Sequence, residues 1–192
     1  ELTDGRLRRG GRGWRWVGRP FRPTNLGELI ESRFGDLPPA VGDVVAALAV
    51  AEPLELSILQ RITSAEAVEE ANVRGLVALH DTGDGVEARV SHPLYGEMRR
   101  TRTPVATLRR LRGRIATELA AHSTAEDMRV AVRRATLTVD SDLTPDPELL
   151  VRAAQGAIQL ADLSLAERLA SAAEHAGAGP DATYLRAHAL SW

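Results

Sequence analysis

The side chains best suited to catalysis or metal binding are five histidines, His80, His92, His122, His175 and His188. No two stand three or four positions apart, and neither HExxH nor Gly-x-Ser-x-Gly occurs. Asp81 and Asp84 beside His80 offer a metal three ligating side chains. The same stretch, Asp81-Thr-Gly-Asp-Gly85, also reads as a solvated hairpin turn, and the turn reading prevails. Asp140, Asp142 and Asp146 lack the Gly and the distal Glu of a calcium loop. The chain has no Cys and no Lys, since all 24 basic residues are Arg. That excludes thiolate catalysis, disulfides, thiolate-bound zinc, a phosphate-binding loop with its Lys, and Schiff-base chemistry. The expectation is a chain with no enzyme activity, no catalytic residue, no metal site and no cofactor of its own.

Two places remain where side chains gather. Arg99, Arg100, Arg102, Arg109, Arg110, Arg112 and Arg114 have no acid among them from 98 to 114. Such a cluster can hold phosphates or an acidic partner surface. It can equally be a solvated helical face or an intramolecular contact. No aromatic, Asn or Gln is interleaved with it, so base-specific DNA reading is not favoured. The second place is Ser91-His-Pro-Leu-Tyr-Gly-Glu97, where Pro93 suits the first turn of a helix and His92 stands where a cap would.

The elements that position these residues are mostly helical. Aromatics make up only 4% of the 192 residues, and Ala and Leu take their place, which suits close helix–helix packing. No run approaches the ~20 apolar residues of a membrane helix. A hairpin is expected over Arg6–Val17, where Leu7, Trp14 and Trp16 alternate with Arg around Gly10–Gly13. Asn25 and Glu28 form a capping box for a helix carrying Leu26, Leu29, Ile30 and Phe34. Helices then follow over Ala40–Ala51, Leu56–Ile62 and Ala65–Arg74, the last capped by Ser64 and closed by Gly75. Leu76–Leu79 and Val86–Val90 read as two strands around the Asp81–Gly85 turn. From Pro104 onward the pattern is wholly helical. Leu108, Leu111, Ile115 and Leu119 share one face, and Thr124 with Asp127 caps the next helix.

The last segment carries an internal repeat. Leu149–Ala154 (LLVRAA) and Thr183–His188 (TYLRAH) share Leu/Val-Arg-Ala at an offset of 34 residues, the tetratricopeptide period. Ala161–Leu163 is the turn between its helices, and Ala166, Ala170 and Ala173 fit a close helix pair. The fold expected is mainly α. It comprises a β-ribbon and linker (1–23), a winged-helix module with a hairpin wing (24–103), and an antiparallel tetratricopeptide-like array (104–192), truncated at its C-terminal end.

The chain resembles the large ATP-binding regulators of the LuxR type, related to the maltose-activator proteins. The resemblance rests on Gly13-Trp-Arg-Trp-Val-Gly18, Leu26-Gly-Glu-Leu-Ile30, Leu48-Ala-Val-Ala-Glu-Pro-Leu54, Gly75-Leu76, His92-Pro-Leu-Tyr-Gly-Glu97 and the 149–174 repeat, in that order. It implies a middle fragment of a cytoplasmic transcription regulator. An ATPase domain using ATP/ADP would precede it and a DNA-binding helix-turn-helix would follow it in the same parent chain. The repeats would receive an unidentified protein or small-molecule effector. In related ATPases a His at the end of the winged-helix hairpin, within Met-His-Asp, contacts the β-phosphate of bound ADP. His92 stands in the matching place, with Ser91 for Met and Pro93 for Asp. The resemblance makes His92 a nucleotide sensor, while the local sequence makes it a helix cap. Two other functions stay open: a DNA-binding winged helix reading through residues 65–74, and a protein-interaction scaffold. The three Glu of that segment oppose the first of these.

Overall fold

A computed structural model describes residues 7–10, 13–16, 37–83, 85–122 and 127–191. The chain divides into two units, Glu1–Leu37 and Pro38–Trp192. In the first, β1 (Leu7–Gly10) pairs antiparallel with β2 (Gly13–Trp16), in the register Leu7↔Trp16 and Gly10↔Gly13. The helix expected after Asn25 lies outside the described residues, as do Asp84 and Thr124.

The second unit begins with α1 (Pro39–Ala51), whose Val41, Val44, Val45 and Leu48 are fully buried. After a short strand, β3 (Leu54–Glu55), come α2 (Leu56–Ile62) and α3 (Ala65–Val73). Ser64 accepts a bond from the Ala67 N–H at 3.1 Å, and Gly75 takes φ +69° just past the end of α3. The expected cap and stop are therefore both in place. β4 (Val77–Asp81) and β5 (Val86–Val90) form the hairpin, and β3 joins it to give a three-stranded antiparallel sheet in the order β3–β5–β4. Two strand details differ from the sequence reading. The first strand starts and ends one to two residues later than Leu76–Leu79, because Val77↔Val90 and Asp81↔Val86 set its register. β3 was not expected, since two residues become a strand only by pairing Leu54 with Ala88 and Glu55 with Glu87.

The remaining helices are α4 (Pro93–Arg102), α5 (Val105–His122), α6 (Met128–Val139), α7 (Pro147–Gln159), α8 (Leu163–His175) and α9 (Pro180–Leu190). Asp127 is the N-cap of α6, accepting from the N–H groups of Arg129 and Val130. Asp146 and Asp162 cap α7 and α8 in the same way. The described residues are thus mainly helical with one small antiparallel sheet. α1 is the hub of one core, packing on α3, α4 and α5. A second core runs through α6–α9 and is mostly alanine around Leu149, Leu150, Leu169 and Leu185. Small side chains let these helices approach closely. A Cβ on Gly156 would meet Met128 Sδ and sit 2.9 Å from Val132 Cγ2, so only glycine fits between α7 and α6 as they stand.

Candidate functional site

The C-terminal end of α1 has a hydrogen-bond deficit written into its sequence. The Ala49 carbonyl would receive the N–H of residue 53, but residue 53 is Pro, and the chain leaves the helix at Glu52 with ψ 140°. Two arginines from other helices fill the gap. Arg100 of α4 donates from Nε to the Ala49 carbonyl at 3.0 Å, and its Nη2 donates to the same oxygen. Arg133 of α6 donates from Nη2 to the Ala51 carbonyl at 2.6 Å and also to the Pro53 carbonyl. Two guanidinium charges thus sit at the negative end of the α1 dipole. Burial pulls the Arg133 pKa below the ordinary arginine value, and attraction to Glu87 of β5 partly offsets this. Arginine remains charged regardless, so the clamp is a permanent cation.

The helix that carries Arg100 begins at His92. His92 is exposed, with φ −145° and ψ 132°, and its Nδ1 accepts from the Leu94 N–H at 3.2 Å. An accepting Nδ1 bears no proton, so in this geometry the ring proton sits on Nε2. The ring lies 5.8 Å from that of Tyr95, tilted by 50°. His92 is therefore an N-cap whose second nitrogen is a donor. Farther along α4, Gly96 is buried against Ala49 and Val90, letting the helix cross α1 closely. An open cleft of about 580 Å³ lies between the end of α1, β5 and α4, bounded in part by Glu52, Arg89, Pro93, Glu97 and Arg100.

The seven clustered arginines do not share one surface. Arg99 lies over Gly42 and reaches Asp43 at 3.9 Å. Arg100 is taken up by Ala49, and Arg102 of α4 is also partnered. Arg109 donates from Nε and Nη2 to the Ser141 carbonyl at 2.9 and 2.5 Å, tying α5 to the loop before α7. Buried Ser141 is itself satisfied, donating to the Thr138 carbonyl and accepting from the Leu143 N–H. Arg110 and Arg114 instead line two hollows beside α5, and Arg112 is half-buried.

No protein-family model, curated protein or solved structure matches this chain.

His80 and Asp81 lie exposed at the tip of β4, where Asp81 Oδ1 accepts from the Gly83 N–H at 2.9 Å within the turn. Among the described residues no group of three or more His, Asp or Glu side chains is placed to hold a metal ion. No helix among them is long and apolar enough to cross a membrane. Arg133 was missed in the sequence because it stands among the apolar residues of α6 with no local partner. Its signal was indirect: a helix ended by Glu52-Pro53 leaves carbonyls that something must satisfy.

Proposed function

We propose that this chain is a regulatory coupling segment of a LuxR-type, ATP-dependent transcription regulator in the cytoplasm, without enzyme activity of its own. On this reading α1–α4 with the β4–β5 hairpin form a winged-helix module, residues 24–103. Residues 104–192 form the start of a tetratricopeptide-like array. Its partners are the ATPase and DNA-binding domains of the same parent chain and an unidentified effector. ATP/ADP belongs to the parent, and DNA is met only through the C-terminal domain.

One observation carries the coupling role. α4 starts at the exposed cap His92 and is tied by Arg100 to the end of α1, where Arg133 of α6 also lands. A shift of α4 provoked at His92 therefore has a direct route to the helical array. The 34-residue offset between α7 and α9, with α8 packed against both, supports the repeat reading. Exposed Glu66 and Glu69 on α3 oppose direct DNA reading by that helix, since they would face phosphates.

The test uses His92 in the full-length regulator. His92→Asn can still cap the helix, whereas His92→Ala cannot. Both variants should weaken ADP retention about tenfold or more, because a charge-assisted bond to phosphate is worth roughly 1.5–3 kcal/mol. Both should also raise basal transcription. The isolated chain should lose about 0.5–2 kcal/mol with Ala and little with Asn. ADP affinity untouched in both variants would reduce His92 to a cap. A parent gene with no phosphate-binding loop upstream would end the regulator reading altogether.

A further inference from the structure

Several arginines of this chain have carboxylates close by: Arg61 meets Glu118 at 3.1 Å, Arg74 meets Glu70 at 2.6 Å, and Arg186 bridges Glu167 and Glu174. Arg110 and Arg114 have none among the described residues, and unlike exposed Arg129 they stand together at the rim of a hollow. They stand at i and i+4 on α5, a spacing that sets like charges beside each other and disfavours the helix. Neither meets a carboxylate or an accepting carbonyl among the described residues. Both line an open hollow of about 280 Å³ enclosed by α5, the α2–α3 turn and the start of α1.

The rest of the lining is rich in donors. Thr107, one turn before Arg110 on the same stripe, presents a hydroxyl. Ala40 lies at the start of α1, whose first-turn N–H groups receive no side-chain cap and which has no acid in its first turn. The hollow's one carboxylate is Asp43, already opposed by Arg99 at 3.9 Å. The balance is two guanidinium groups without a bonded carboxylate plus a positive helix end, which suits a dianion better than a monoanion.

We infer that this hollow is a binding site for a small organic phosphate, with Arg110 and Arg114 as the ligating forks. The adjoining hollow is lined by the same two arginines with Arg61, but also by Glu118 and Asp142. Carboxylates thus flank the arginine pair on that side, which favours a small ligand over a long acidic peptide. A volume at the lower end of the usual ligand-pocket range points the same way. This narrows the seven-arginine cluster to two residues, and it holds whether or not the chain couples an ATPase to a sensor.

The experiment is calorimetric titration of the whole 192-residue chain with phenyl phosphate, at constant ionic strength maintained with sodium chloride. Saturable one-site binding is expected. The double variant Arg110→Gln/Arg114→Gln should bind at least about tenfold more weakly, since each loses a charge-assisted fork. Asp43→Asn should bind severalfold more tightly, and Arg129→Gln, an exposed arginine on α6, should behave as the wild type. Arg110→Lys and Arg114→Lys retain charge without the fork and should fall between, which guards against a folding defect in the double variant. Absence of saturable binding, or an affinity unchanged in both the double and the lysine variants, would overturn the assignment. So would an equal loss in Arg129→Gln.

Discussion

Replacing Arg133 by Met is the most direct probe of how the two cores are held together. The change keeps much of the side-chain volume and removes the guanidinium that bonds the Ala51 and Pro53 carbonyls. Ala51 is only 8% exposed, so water does not simply replace the lost donor. A hydrogen bond to a charged group contributes about 1.5–3 kcal/mol net, and a buried carbonyl left unmet costs about 1–3 kcal/mol. Against this, Met no longer has to desolvate a cation, and the Arg133 pKa is lowered chiefly by that desolvation. Taking two bonds at the lower end gives a loss of about 2–4 kcal/mol. For a domain of this size that is a fall in Tm of roughly 4–16 °C. Arg133→Lys keeps a cation but reaches as a single point, and should recover about half of the loss. The assay is thermal unfolding followed by circular dichroism, with native-state amide exchange on α6 and on the α1–β3 turn. In Arg133→Met, exchange should accelerate at both places together. A loss under about 0.5 kcal/mol, the range of an ordinary surface change, would refute the clamp. Faster exchange in α6 alone would refute its role in joining the cores.

Two further predictions follow from packing and charge. Gly156→Ala should destabilise by about 1–3 kcal/mol, because its Cβ meets the branched, buried Val132 as well as Met128. Gly113→Ala meets the exposed Asp142 carboxylate, which can swing away, and gains about 1 kcal/mol of helix propensity; denaturant melts should place it within about 1 kcal/mol of wild type, and equal losses at both glycines would show the distinction to be false. The Glu174 carboxyl is held below the usual carboxylate range by hydrogen bonds from Thr183 and Arg186. Its stabilisation is therefore complete above that range and is lost as pH falls through the depressed value. The stability gap between wild type and Glu174→Gln, measured by urea melts, should shrink as pH falls below about 4; a gap constant from about pH 7 to pH 3 would contradict the ion-pair assignment.

Much of the chain's organisation was legible before any coordinates because the signals are local. α2 spans Leu56–Ile62 and β5 spans Val86–Val90, as their patterns predict. Ser64 reaches its N–H within three residues, Asp127 within two, and Pro93 starts α4 through its own ring geometry. Such contacts close inside one turn, so neighbours along the chain are enough to determine them.

The sites were only partly legible, for the opposite reason. β3 exists because β5 pairs with it from more than thirty positions away. The seven arginines look alike in the sequence, all five-donor forks in one basic run. Which of them meets Ala49, which meets Ser141 and which faces an open hollow depends on the carbonyls and carboxylates that folding leaves unmatched nearby. Arg133 shows the same dependence most clearly, since its two acceptors lie 82 and 80 residues away along the chain. Sequence alone determined most of the described helices, the cap at Ser64 and the repeat-like offset, because backbone groups and small side chains satisfy each other at short range. Only the tertiary structure decided the partners of the arginines, because a guanidinium bonds whichever acceptors the packing of the helices brings within its reach.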